Sequence, residues 1–457
     1  MNNKILLVNP PEALRKSLHS NENYIFYDKW CFSLFVGSKR SILFIDDINL
    51  DTNFDFDQSK NQILLNRIAP IWNRWLRSQS NAEDTKFSLS HNLEQIKQFL
   101  KAHSIIHAFF FTAIPHHIDT SSISSCCHSL KIMESYFYKT ALTNARDGLL
   151  HINGSGLFSK RTTSVNDTVD EDAMADILDF QANTQKENTP TWVPKRRKWQ
   201  ESFIIGLFAG VLLVLKGKLN KTHVSYSSGK TISQVLNDCL NQKIFLKKYQ
   251  KLSKKFIQIC SETPSILIAA HYQPEATTVP EGGIYANHVD VVLKIRSTGF
   301  KGEIFYKEHP TSRMYLDPDI GLTGVGGYRS SKYLKTLKSL GVKFVPISTP
   351  VSHFQKSWIV TITGSVAIER SLAGLQTIVA GSPWFEGLPG NIPICQMDSE
   401  DFEAAVRSAS NSTADASRIF LHTKLSGNVF PDLQSANSDD GVNKYIDLFG
   451  SILRKGF

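Results

Sequence analysis

Residues 265–278 read Ser265-Ile-Leu-Ile-Ala-Ala-His271-Tyr-Gln273-Pro-Glu275-Ala-Thr-Thr278. The apolar run Ile266–Ala270 has the length of a buried strand and opens directly onto a dense polar constellation. The same juxtaposition recurs twice downstream. Glu303–Tyr306 leads into Lys307-Glu308-His309-Pro310, and Trp358–Ile362 leads into Thr363-Gly364-Ser365 and a helical stretch, Val366–Leu372, that carries Glu369. Helical patterns over 284–296, 330–340 and 401–410 and strand-like runs at 342–345 and 376–380 complete the alternation. Strands alternating with helices predict an α/β unit with a parallel sheet covered on both faces. Loops leaving the strand C-termini of such a sheet face a ligand crevice.

The residue types at those ends suit a phosphorylated ligand. His271 and Glu275 can bind, donate or accept protons, with Gln273 between them. Lys307 and His309 stand two apart, so an extended chain can point both to one side as a site for phosphate oxygens. Pro310 fixes the turn that follows. Thr363 and Ser365 are expected to cap the next helix, whose free amides attract an anion, with Gly364 supplying the tight turn. Glu369, about one turn inside, is within reach of a sugar or ribose hydroxyl. The glycine-rich run 321–327 matches neither a dinucleotide fingerprint nor a P-loop and reads as a flexible loop.

The first 150 residues show the same alternation, with strands expected at Ile5–Val8, Ser41–Ile45, Ile105–Phe111 and Leu149–Ile152 and helices at 61–77, 91–103 and 129–144. Pro115-His116-His117-Ile118-Asp119 follows the longest of these strands. Its histidines and aspartate could act as acid/base groups, face an acceptor or ligate a metal; no third or fourth ligand stands at a typical spacing, so no metal site is expected. Asp46 and Asp47 also follow a strand and are a fallback. These observations give an N-terminal Rossmann-like domain at 1–153, a polar insertion with apolar and basic helical segments at 154–260, a C-terminal Rossmann-like domain at 261–440 and a final helix at 441–457. Two such halves are expected to face each other across a cleft.

Composition narrows the classes further. With 457 residues, 41% hydrophobic and 20% charged, the chain is neither collagen-like, wholly disordered nor disulfide-stapled. A formal charge of +9 is too mild to imply a nucleic-acid partner. Six scattered cysteines without a C-x-x-C pair read as thiols in a reducing compartment. The run Ile5–Val8 is too short for a signal peptide, and Phe203–Leu215 is too short to span a bilayer. A cytoplasmic protein follows. The basic and apolar residues of 195–221 and 243–255 suggest peripheral attachment to an anionic inner-membrane surface. Residues 154–200, rich in Ser, Thr, Asn, Asp and Lys, read as a long loop.

His271-Tyr-Gln-Pro-Glu-Ala-Thr-Thr, Tyr306-Lys-Glu-His-Pro and Thr363-Gly-Ser with Glu369, in that order, resemble the capsule polysaccharide biosynthesis family of bacterial glycosyltransferases, which have the two-Rossmann GT-B architecture. Pro115-His116-His117 with Asp119 is similar to that family's N-terminal Pro-His segment. The His-Pro pair also resembles that of Kdo transferases and sialyltransferases, which use CMP-activated sugars. The resemblance implies that Lys307 and His309 hold the donor phosphate, that Thr363, Gly364 and Ser365 complete its site, and that Glu369 binds the ribose. It implies a nucleotide-sugar co-substrate, an oligosaccharide or glycolipid acceptor, and no metal or other cofactor. Two alternatives stand beside it. A CDP-polyol phosphotransferase carries a similar Lys-x-His-Pro strand end, and a non-catalytic GT-B-like scaffold would keep the fold without nucleotide affinity.

Overall fold

The computed structural model describes residues 3–18, 20–21, 23–28, 33–36, 39–43, 93–94, 96–111, 118–138, 142, 147–153, 161–162, 171–186, 201–219, 232–254, 256, 265–271, 281–317, 321–322, 329–354, 357–398, 411–425, 429–431 and 439–455. The chain folds as two α/β units, one formed by residues 1–176 and 424–457 and the other by 177–423. Each is Rossmann-like. The division differs from the boundaries expected above, because the final residues return to the first unit.

The first unit contains β1 (Lys4–Val8), α1 (Glu12–Leu18), β2 (Tyr24–Asp28), β3 (Ser33–Val36), β4 (Lys39–Leu43), β5 (Ile105–Phe110), α2 (Ile118–Ser129), β6 (Met133–Tyr138), β7 (Asp147–Asn153) and β8 (Arg161–Thr162). Helix α3 (Glu171–Lys186) carries the chain into the second unit. There follow α4 (Phe203–Leu219), α5 (Ile232–Ser253), β9 (Ser265–Ala269), α6 (His288–Ser297), β10 (Glu303–Lys307), β11 (Leu316–Asp317), β12 (Gly321–Leu322), α7 (Ser331–Ser339), β13 (Val342–Val345), β14 (Trp358–Thr361), α8 (Val366–Leu372), β15 (Thr377–Val379), β16 (Asn391–Pro393) and α9 (Asn411–Leu425). Then β17 (Val429–Pro431) and α10 (Asp439–Lys455) complete the first unit.

The second unit's main sheet is ordered β13-β10-β9-β14-β15-β16, and its neighbouring strands pair parallel throughout. Counted from β9, this is 3-2-1-4-5-6, the doubly wound order whose switch point falls between the first and fourth strands. Those strands are β9 and β14, which precede two of the three polar segments. β9 and β14 are buried along nearly all their length, as a sheet with helices on both faces requires.

The first unit's sheet runs β17-β7-β6-β5-β1-β2-β3-β4, with β8 paired to β7. Its β2, β1, β5 and β6 are parallel, so here too the order reverses, between β1 and β5. Helix α10 closes the core. Val442, Tyr445, Leu448, Phe449 and Ile452 recur on one face and are buried. The Phe449 ring lies 4.6 Å from that of Phe109 and 5.9 Å from that of Tyr24.

Several expectations are corrected. The helix read over 129–144 is the end of α2 followed by strand β6, where the aromatic run Tyr136-Phe137-Tyr138 suits a pleated surface between β5 and β7. The loop read over 154–200 contains α3, a polar helix that buries Ala173, Ile177 and Phe180 at helical spacing. The helix read over 284–296 breaks at Asn287, whose side chain accepts the Val289 N–H and caps α6. The start of the glycine-rich loop is β12, paired antiparallel with β11. The helices expected at 61–77 and 401–410, the glycines of 324–327, Asp46 and Asp47 lie outside the described residues. Among the described cysteines, Cys126, Cys127 and Cys239 are buried, Cys395 is exposed, and none is in a disulfide. Among the described residues no helix is long and apolar enough to cross a membrane.

Candidate functional site

His271 leaves β9 at the switch point, and its buried ring ties the ends of β9 and β14 together. Its Nε2 accepts the Thr363 N–H at 3.1 Å and lies 2.9 Å from the Thr361 hydroxyl. An Nε2 that accepts from an amide carries no proton, so the Thr361 hydroxyl is the donor in the second contact and the ring proton sits on Nδ1. Thr361 Oγ1 in turn accepts the Gly364 N–H at 3.2 Å. Gly364 is required for this closeness: a Cβ there would stand 2.7 Å from Thr361 Oγ1 and 3.1 Å from His271 Nε2. Burial, with help from the Arg329 charge, pushes the His271 pKa down to about 3. The ring is neutral at physiological pH and its Nε2 lone pair is already engaged. His271, expected to bind a ligand or to donate or accept protons, thus has its Nε2 turned to the Thr363 amide and the Thr361 hydroxyl.

The second polar segment starts where Lys307 closes β10. Lys307 is buried, and its carbonyl accepts the Ala270 N–H at 2.9 Å, which locks the two strand ends in register. His309 caps a short 3-10 turn, Pro310–Arg313, by accepting the Thr311 N–H on Nδ1 at 3.2 Å. With Nδ1 accepting, the proton rests on Nε2, which makes this half-buried histidine a hydrogen-bond donor. Pro310 sits in the first turn, where a missing N–H costs nothing. Gln242, from α5, steadies the following backbone by donating to the carbonyls of Ser312 (3.1 Å) and Met314 (2.6 Å).

Between these two segments lies a pair that the sequence reading passed over. Glu308 and Arg329 are both buried and form an ion pair. The Arg329 guanidinium also donates to the His271 carbonyl. Glu308 accepts from the Tyr306 hydroxyl at 3.0 Å and from the His309 N–H at 2.8 Å, and its own N–H donates to the Tyr249 hydroxyl at 2.9 Å. Burial works against the guanidinium charge, but Glu308 with Tyr306 and Tyr333 more than offsets it, and the Arg329 pKa is held above its ordinary value. Arg329 thus clasps the ends of β9 and β10 together. Glu308 stood in plain view between Lys307 and His309. Nothing in the sequence pattern marked Arg329, which follows the glycine-rich run.

At the third segment one expectation is corrected. Ser365 already has helical backbone angles (φ −57°, ψ −20°) and makes no side-chain cap bond. It donates instead to Glu369 Oε1 at 3.2 Å. Burial raises the Glu369 carboxyl pKa. Gly381, after β15, brings a further loop close: a Cβ there would stand 2.7 Å from the Glu281 carbonyl oxygen and 2.8 Å from Thr363 Cγ2.

The structure therefore joins His271, Thr363 and Gly364 directly and links Lys307 and His309 to them through backbone and the Glu308–Arg329 pair, while Ser365 and Glu369 pair at the start of α8. Gln273 and Glu275 lie outside the described residues, as do His116 and His117. Asp119 is the second residue of α2, six undescribed residues and Ile118 after the end of β5 and Phe111. Asn9 also stands at the first unit's switch point. It follows β1 in the left-handed region (φ 56°), which asparagine tolerates, and is buried. Among the described residues no group of three or more His, Cys, Asp or Glu side chains is placed to hold a metal ion.

The buried histidines set a pH dependence. His107 and His271 are pushed down to about 3 and His288 well below its ordinary value, in each case chiefly by burial. Below about pH 6.5 the unfolded chain binds protons at these sites and the folded chain does not. Stability is therefore full above that pH and falls as pH drops toward 3, by up to about 1.4 kcal/mol per pH unit per histidine. Glu369, with its raised pKa, acts in the opposite sense but is one group against three. Denaturant melts at pH 7 and pH 5 should show the loss; a flat or rising profile refutes the assignment.

No family model and no curated protein matches the chain. Solved structures similar to it include a beta Kdo 2,7 transferase, KpsC of Thermosulfurimonas dismutans, at 10% identity and TM-score 0.30, covering 80% of this chain and 93% of that one. They also include S. aureus MnaA with UDP, at 10% identity and TM-score 0.23, covering 93% of each chain. A third is the UDP-GlcNAc 2-epimerase of Neisseria meningitidis bound to UDP-GlcNAc, at 12% identity and TM-score 0.23, covering 93% of this chain and 99% of that one. At these identities and TM-scores the similarities assign neither a family nor an activity to the chain.

Proposed function

We propose that the chain is a metal-independent glycosyltransferase of GT-B type. In this reading it moves a sugar from a nucleotide donor, a CMP-linked ulosonic acid such as Kdo or sialic acid, to an oligosaccharide or glycolipid acceptor of a cell-surface polysaccharide. The observation that carries the reading is that two polar strand ends, after β9 and β14, flank the switch point of a 3-2-1-4-5-6 sheet, where doubly wound folds bind nucleotides, and that the third, after β10, is tied to the first through Arg329. Lys307 and the Nε2–H of His309 hold the donor phosphate, and the backbone around Thr363, Gly364 and Ser365 completes its site. Glu369 binds the ribose, with Gln273 and Glu275, which follow His271 in the chain, contributing to the donor site. Donors fixed in advance around the departing phosphate stabilise the charge that develops there. The acid/base group comes from the first unit, from Asp119, His116 or His117, which follow β5 in the chain.

Calorimetric titration of CMP, CDP, UDP and GDP tests the donor class. CMP is expected to bind, and His309→Ala is expected to weaken it by roughly 1–3 kcal/mol through loss of one hydrogen bond to phosphate. Failure of all four nucleotides to bind overturns the reading. Unchanged CMP affinity in folded His309→Ala removes His309 from the site.

A further inference from the structure

Helix α4 is held to the second unit by one face only. Phe203 and Leu207 pack against the cluster of Val235, Cys239 and Tyr315. Gly206 lets the helix settle on Tyr315, since a Cβ there would fall 2.3 Å from the tyrosine Cβ. Among the described residues nothing covers the opposite face. Ile204, Phe208, Leu212 and Leu215 recur along it, with Ile205 beside them, and Phe208 and Leu212 are 67% and 64% exposed. Five exposed large apolar side chains on one helix are a feature that a lone globular unit rarely tolerates.

Charge indicates what covers this face. In α5, Leu240, Lys243, Ile244, Lys247 and Lys251 share one side and are all exposed, and Lys248 and Lys254 are exposed as well. Lys243 Nζ lies 4.4 Å from the Phe203 ring centroid, so this lysine-bearing side meets the start of α4. Residues 195–255 hold fourteen Lys or Arg against Glu201 and Asp238, a net +12, whereas the whole chain carries +9, leaving −3 for everything else. A second copy of the chain would bring the exposed lysines of α5 against their own copies, so self-association through this face is opposed. A bilayer with anionic headgroups satisfies both features, accepting the apolar residues at its acyl boundary and the lysines at its phosphates. A helix of seventeen residues is too short to cross that bilayer and lies along it.

We propose that the exposed face of α4 and the lysine side of α5 together form a docking surface for an anionic membrane, independent of the chemistry proposed for the switch-point site. Flotation of the full chain with vesicles tests it. The protein is expected to float with phosphatidylcholine–phosphatidylglycerol vesicles at least about tenfold more than with phosphatidylcholine alone, and less as salt rises. Lys247→Glu with Lys251→Glu should weaken flotation by roughly fivefold or more per lysine. Phe208→Ser with Leu212→Ser should abolish it without lowering the melting temperature, because both side chains are exposed. Three results overturn the proposal: no flotation with anionic vesicles, equal flotation with both kinds, or an oligomer in sedimentation that Phe208→Ser with Leu212→Ser dissociates, which would make a second copy the occupant.

Discussion

Replacing Arg329 with Met lowers the stability of the fold by about 3–5 kcal/mol, the cost of leaving a buried charge without its partner. Glu308 would remain fully buried with only the Tyr306 hydroxyl and its neighbouring amide to solvate it. The clasp on the His271 carbonyl would be lost as well, so the ends of β9 and β10 would loosen together. Urea denaturation of Arg329→Met, Glu308→Gln and the double variant measures the coupling. The double variant should lose clearly less than the sum of the two single ones, since removing both charges restores neutrality. Additive losses would show that the pair does not act as a unit. Nucleotide titration of any variant that remains folded then reports whether this network positions the site or only supports the core.

The second large effect concerns turnover. Asp119→Ala is expected to reduce it by about a hundredfold or more, the scale of a positioned acid or base, while nucleotide affinity is kept. The motivation is positional. Asp119 lies in the first turn of α2, which follows β5, and β5 borders the first unit's switch point. A single-turnover assay with the donor identified by calorimetry separates the outcomes. Full turnover in a folded variant moves the role to His116 or His117. Loss of nucleotide binding instead would show that the division of labour between the two units is wrong.

Legibility in the sequence followed how local each determinant is. β9, β10, β14 and β15 were readable because a strand buried on both faces must be a short continuous apolar run. Met133–Tyr138 misled because it mixes Glu134 and Ser135 with aromatics, and only its placement between β5 and β7 makes it a strand. Helix α3 was invisible because Ala173, Ile177 and Phe180 suffice for its packing while Asp, Glu, Gln, Asn, Thr and Lys make up over half of its sixteen residues. His271 and Thr363-Gly364 were legible as strand-end residues because a continuous apolar run gives way there to polar residues. Arg329 was not, because its partners lie 21 and 58 residues away and nothing near it in sequence requires a cation. Asn9 was missed for a related reason: its significance rests on a left-handed backbone beside β5, not on its chemistry.

The return of the chain to its first unit bears on synthesis at the ribosome. Val8, the last residue of β1, and Asp439, the first of α10, are 431 positions apart (439 minus 8). At typical elongation rates the emerging β1 waits roughly 20–90 s for the helix that covers it. The second unit, continuous from 177 to 423, is finished earlier. The nascent chain therefore carries a completed domain behind an N-terminal sheet with an uncovered apolar flank. During that interval the flank around Tyr24 and Phe109 is what a holding chaperone would meet.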